Sequence, residues 1–242
     1  YRIENGRIRP SRGLADAVLD MLRGNDAFVM IDDQKVAFET AIGLAYRAQE
    51  EERQVLIVEG GPGTGKSVLA VNLLARLTDR ELVTQYVSRN AAPRAVYEAH
   101  LTGSFSKSRI SNLFRGSGAF TETDPDTFDA LLVDEAHRLN EKSGLYGNLG
   151  EHQVKEIMQA ARLSVFFVDE AQRVTLKDVG TRAEIRRWAE HLGAQVTELG
   201  LASQFRCGGS DGYLAFVDQL LQIRDTANED IESLDYEVQV VD

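Results

Sequence analysis

Eight consecutive residues, Gly60-Gly61-Pro62-Gly63-Thr64-Gly65-Lys66-Ser67, are of the types that phosphate chemistry needs. They fit the spacing G-x-x-x-x-G-K-[ST], behind the apolar run Val55-Leu56-Ile57-Val58 and ahead of a helical pattern from Val68 to Leu77. In such a loop the glycines let the backbone curl until its N–H groups face a polyphosphate. The N-terminus of the next helix adds a favourable dipole. Gly61, Pro62, Gly63, Thr64, Gly65, Lys66, Ser67 and Val68 are therefore the expected nucleotide-binding residues. Lys66 would reach the β- and γ-phosphates of ATP, and the Ser67 hydroxyl would meet Mg2+.

Two further apolar runs end in the same tripeptide. Val133-Asp134-Glu135-Ala136-His137 closes one, and Val168-Asp169-Glu170-Ala171-Gln172 closes the other. A carboxylate at the C-terminal end of a parallel strand lies where α/β sheets bind ligands. Beside a phosphate loop, Asp134 would hold Mg2+, and Glu135 would orient and deprotonate the attacking water. Gln172 could sense the γ-phosphate, while Asp169 and Glu170 could equally be structural. Four scattered histidines and the single cysteine, Cys207, form no zinc pattern and allow no intrachain disulfide.

The elements that must position these residues alternate along the chain. Residues 1–10 read as irregular or strand-like, and Ser11 caps a helix closed by Gly24. After the apolar run Phe28–Ile31, Asp32 or Asp33 caps a longer helix with Val36, Ala37, Ala41, Ile42 and Ala45 on its apolar face. Strands are expected at 54–59, 82–87, 130–133, 164–168 and 195–199, with helices near 91–100, 151–161 and 183–191. Thr102 to Gly118 reads as loop with one short helical turn, and Gly144 to Gly150 as loop. A helix over 212–223 and a strand over 236–241 complete the pattern. Several strands are continuous apolar runs, as in a parallel sheet covered on both faces. The expected fold is a three-layer α/β sandwich.

The motifs from Asp32 to Arg206 resemble those of superfamily 1 helicases, in the same order. Asp134-Glu135-Ala136-His137 resembles motif II. Asp169 with Gln172 resembles motif III, with Val168 in place of its glycine. Leu201-Ala202-Ser203-Gln204-Phe205-Arg206 resembles motif IV, Gln34 with Ala37 the Q motif, and Tyr86-Val87-Ser88-Arg89-Asn90 stands where motif Ia would be. More closely, the strings from Tyr86 to Arg94, Asp134 to Asn140 and Ser203 to Tyr213 resemble the Schlafen-like DNA/RNA helicase-domain family, over nearly the whole chain. The resemblance implies a RecA-like P-loop ATPase core. It implies that Gln34 reads the adenine edge, that Phe205 stacks on the base and that Arg206 acts as an arginine finger in cis. Arg173 is a weaker candidate for the same task, and His137 would couple nucleotide and strand sites. Ser88, Arg89 and Asn90 would hold phosphates of single-stranded DNA or RNA.

Charge supports a local strand path rather than a broadly basic surface. The 242 residues carry a formal net charge of −11, yet residues 101–120 contain no Asp or Glu and do contain Lys107, Arg109 and Arg115. With Asn112 and Phe114 among them, this segment mixes cations with an aromatic, which suits bases that stack and phosphates that pair. No apolar run reaches the ~20 residues of a membrane span and no secretory signal is visible, so a cytoplasmic protein is expected. The chain begins at Tyr1 rather than Met, as a portion of a longer protein would. Its expected organisation is a helical lead-in (1–53), an ATPase core (54–206) and the start of a truncated or missing second lobe (207–242). Without that lobe the core could be a regulatory switch or assembly module rather than a translocating motor. A nucleotide-binding interaction domain without turnover is the third reading.

Overall fold

The computed structural model describes residues 32–92, 94–95, 99, 112–144, 147–173, 175 and 178–202, together with 3–4, 7–8 and 30. The helix expected after Ser11, the helix over 212–223 and the strand over 236–241 lie outside the described residues. Two short strands, β1 (Ile3–Glu4) and β2 (Arg7–Ile8), pair antiparallel, as the strand-like N-terminus suggests.

Six strands then form one parallel sheet: β3 (Gln54–Gly60), β4 (Thr84–Ser88), β5 (Phe114–Arg115), β6 (Phe128–Asp134), β7 (Ala161–Val168) and β8 (Gln195–Leu201). Their order across the sheet is β5-β4-β6-β7-β3-β8. Val55, Leu56, Ile57 and Val58 of β3 are all fully buried, because alternate side chains enter two different cores. On one face, Leu56 and Val58 meet α1 (Asp32–Glu50) and α2 (Lys66–Asp79) through Ala41, Ala45, Leu69 and Leu73. On the other, Val55 and Ile57 meet α3 (Gln153–Ala160) and α4 (Arg182–His191) through Ile157, Ile185 and Ala189. This is the RecA-like three-layer α/β arrangement. Burying Phe166 and Phe167 of β7 on opposite faces contributes about 1.5–3 kcal/mol each.

Several boundaries differ from the sequence expectation. Val36 is 56% exposed, so the buried stripe of α1 runs through Ala37, Ala41, Ile42, Leu44, Ala45 and Ala48 instead. The segment 102–118 contains an unexpected strand, β5, paired with β4 through Tyr86↔Phe114 and Val87↔Arg115. It is followed by a 3-10 turn at Ser117–Ala119. The expected helix at 91–100 is described only at residues 91–92, 94–95 and 99, all helical. The sheet's C-terminal edge collects the loops after β3, β6 and β7, which places all three sequence motifs side by side. No helix among the described residues is long and apolar enough to cross a membrane.

Candidate functional site

The loop between β3 and α2 turns sharply because Gly63 and Gly65 adopt φ of 79° and 83°, which other residues resist. The Thr64 hydroxyl donates to the Gly61 carbonyl at 3.0 Å and steadies the turn. Lys66, buried at the first position of α2, donates from Nζ to the carbonyls of Gly60 (2.6 Å) and Gly61 (2.8 Å). Its ammonium also lies 3.5 Å from Asp169 Oδ2, an ion pair too long to be a hydrogen bond. The charge that sequence assigns to a phosphate is thus held at the loop by groups of the chain itself.

Asp134, at the end of β6, is almost fully buried. Burial pushes its carboxyl pKa above the ordinary Asp range, while hydrogen bonds from Tyr86 and Ser67 pull the other way. The Tyr86 hydroxyl donates to Asp134 Oδ2 at 2.6 Å, and the Glu135 N–H donates to Oδ1 at 3.0 Å. Among the described residues, no group of three or more His, Cys, Asp or Glu side chains could hold a metal ion. Mg2+ in phosphate-transfer sites takes most of its ligands from water and phosphate. One hydroxyl facing one carboxylate, Ser67 and Asp134, therefore fits that ion.

Glu135 has φ 53° and ψ 42°, a left-handed conformation uncommon for a residue with a side chain. The His137 imidazole, 3.3 Å away, is the largest influence on its carboxyl pKa and lowers it, and Lys66 and Arg138 act in the same direction. The base expected from sequence is therefore ionised at neutral pH and lies near the P-loop lysine.

Gln34 of α1 is buried against the loop, its amide nitrogen donating to the Thr64 carbonyl at 2.8 Å. Its Oε1 is buried with no partner. An orphaned acceptor beside a phosphate loop suits an exocyclic amine such as adenine N6. The adjoining cleft, about 500 Å3, is lined by Gly60, Gly61 and Pro62 of the loop together with the acids Asp33, Glu59, Asp169 and Glu170. Arg182 offsets two of these acids, pairing with Glu59 at 2.5 Å while its backbone N–H donates to Glu170 Oε1 at 2.7 Å.

The remaining sequence candidates divide. Gln172 is half-buried at the last position of the 3-10 turn after β7. Arg173 is tied within its own loop, donating from Nε and Nη2 to the Asp178 carbonyl. Ser88 is fully buried, and its Oγ accepts the Asn90 N–H at 3.2 Å, so this hydroxyl does not face a strand as expected. Arg89 pairs with buried Asp178 at 2.9 Å and donates to the Arg138 carbonyl, so its charge is largely cancelled inside the chain. Asn90 is half-buried, and Arg115 is exposed on β5. Lys107, Arg109, Phe205 and Arg206 lie outside the described residues.

Two residues that sequence reading missed stand out here, Tyr86 and Asp178. Tyr86 lies one step before Ser88 on the same face of β4, where the register Ser88↔Asp134 brings its hydroxyl to the acid. Only strand register makes that visible. Asp178 is isolated in sequence, and its partner Arg89 belongs to a different strand end.

A family model described as Schlafen group 3, DNA/RNA helicase domain, matches residues 53–242. Among curated proteins none matches this chain. Solved structures similar to it include a DNA replication initiation factor, at 14% identity and TM-score 0.38, covering 82% of this chain and 53% of that one. The Hef helicase domain of Pyrococcus furiosus shows 12% identity and TM-score 0.36, covering 70% and 40%. AMPPCP-bound DnaA from Aquifex aeolicus shows 14% identity and TM-score 0.38, covering 86% and 57%. The chain spans about half the length of these structures.

Proposed function

The chain belongs to the Schlafen group 3 DNA/RNA helicase-domain family, and on that footing we propose that it binds ATP with Mg2+ and hydrolyses the γ-phosphate. The observation that carries this reading is the meeting of Ser67, Asp134 and Glu135 beside Lys66 at one edge of the sheet. Residues 61–68 would cradle the phosphates, Gln34 would take the adenine amine, and Lys66 would exchange the Gly60 and Gly61 carbonyls for phosphate oxygens. Bound Mg2+, held by Ser67 and Asp134, would neutralise phosphate charge. Glu135 would accept a proton from the attacking water. Gln172 would monitor the γ-phosphate, and Phe205 and Arg206 would complete the site from the segment after β8. Residues 54–206 are the proposed ATPase core.

The expected partner is single-stranded DNA or RNA, approached through Asn90, Arg115 and the basic segment with Lys107 and Arg109. A second reading, a switch or assembly ATPase without translocation, is favoured by one observation: Asp178 already neutralises Arg89. Steady-state ATP hydrolysis with and without single strands separates the two. Strand stimulation supports the motor, and turnover indifferent to every strand supports the switch. Lys66→Ala should abolish turnover, and Glu135→Gln should keep ATP binding while all but stopping hydrolysis. Equal turnover in wild type and Glu135→Gln would remove Glu135 from its role.

A further inference from the structure

His137 is fully buried between the ends of β6 and β7. Its Nδ1 accepts the backbone N–H of Asp169 at 3.1 Å. A ring nitrogen that accepts carries no proton, so the neutral imidazole must bear its proton on Nε2. That nitrogen lies 3.3 Å from Glu135 Oε2, on a bent approach that falls short of a full hydrogen bond. Glu135 in turn occupies its left-handed conformation at the entry to the 3-10 turn that contains His137. The other charges acting on Glu135 are Lys66, Arg138 and Asp134.

We infer that His137 is a positioning residue for Glu135: the Asp169 N–H fixes the imidazole tautomer, and the Nε2–H so fixed orients the Glu135 carboxylate beside Lys66. The two strand ends are thereby joined in a ring, since Asp169 also carries the ion pair to Lys66. The inference rests on the ATPase reading for its catalytic consequence, and on geometry alone for the tautomer.

Two substitutions separate the halves of the ring. Glutamine can place an N–H near the position of Nε2, whereas the shorter asparagine can set its carboxamide oxygen near Nδ1 but does not reach the position of Nε2. In steady-state ATPase assays, His137→Gln should stay within about tenfold of wild type. His137→Asn should lose roughly 100-fold in kcat with little change in KM for ATP, the lower end of what a mispositioned base costs. In a Glu135→Gln background, His137→Asn should have no further effect. Equal losses in the two His137 variants, or full additivity with Glu135→Gln, overturns the positioning role. A second measurement needs no turnover. Long-range 15N–1H correlation on protein labelled in histidine, with His137→Asn used for assignment, should show the Nε2–H tautomer for His137. An Nδ1–H tautomer or an imidazolium overturns the inference. Absence of hydrolysis in wild-type protein would sink the ATPase reading, and the tautomer would still decide the lock.

Discussion

Asp134-Glu135-Ala136 and Asp169-Glu170-Ala171 are the same tripeptide at the ends of adjacent parallel strands, yet their side chains take different partners. The difference is a shift of one residue in the turn. After β6 the 3-10 turn begins at Ala136, leaving Glu135 ahead of it with φ 53°. After β7 it begins at Glu170, with Asp169 ahead of it in an extended conformation. Glu135 therefore points back towards His137 and the P-loop lysine, while Glu170 turns outward to the start of α4 and Arg182. The acids diverge as well. Asp134 faces hydroxyls, from Tyr86 and Ser67, and Asp169 faces the Lys66 ammonium. Identical sequence at a strand end does not define a role, because the turn that follows decides where the carboxylates aim.

The largest test of this contrast compares the two glutamates. Glu135→Gln should lower ATP turnover by about 10²–10⁴-fold, the range of a lost general base. Glu170→Gln should lower it by less than about fivefold, since an ion pair this open to solvent contributes at most ~1 kcal/mol. Phosphate-release rates that fall equally in both would break the comparison. Next in size is the packing that imposes the β6 turn. A Cβ on Gly180 would overlap the Ala136 carbonyl oxygen, and the Val179 N–H donates to the Leu139 carbonyl at 2.8 Å. Gly180→Ala should cost roughly 1–3 kcal/mol. Thermal melting should show it as a Tm fall of about 5 °C. No fall would mean that the contact does not hold the turn.

Smaller effects sharpen the difference between the two aspartates. Tyr86→Phe leaves Asp134 Oδ2 buried without its donor. The Mg2+ concentration needed for half-maximal binding of a fluorescent nucleotide should rise by about tenfold, as when the outer shell of a metal ligand is lost. An unchanged Mg2+ requirement would make Tyr86 a packing residue. Asp134 also predicts a pH-dependent stability, for burial raises its folded pKa above the usual 3.8. The folded protein then binds the proton more tightly than the unfolded chain, so stability falls as pH rises from 3.8 through the raised value. Asp134→Asn should melt higher than wild type at pH 7, because it removes the buried charge. That gap should close below pH 3.8, and a gap constant across pH would contradict the burial argument. Glu135, with its lowered pKa, has the opposite sign. It contributes stability above 4.5 that is lost as pH falls through the folded value.

What was legible in the sequence was what is local. The P-loop is one contiguous pattern, and the apolar runs before both acidic motifs correspond to β6 and β7. β5 was not legible, because two residues have no period to read. Val36 was misassigned because it lies just beside the buried stripe of α1, within the same helical spacing. Ser88 and Arg89 read as strand-binding residues from their position, but burial of Ser88 and the pairing of Arg89 with Asp178 depend on contacts from another loop. Tyr86 and His137 acquire their partners only through the register of neighbouring strands, which no linear pattern displays.

The order of strands also sets a timetable for synthesis. β3, which carries the P-loop, emerges early, but its two neighbours are β7 and β8. Gln54 waits for Leu163 on one side and for Gln195 on the other. At roughly 5–20 residues per second of translation, the interval is on the order of ten seconds. During it Asp134 and Glu135 are not yet placed beside the loop, because β6 reaches β3 only through β7. A nascent chain released before β7 leaves that loop on a strand with neither of its sheet neighbours, so the proposed nucleotide site is assembled only when the sheet has closed around it.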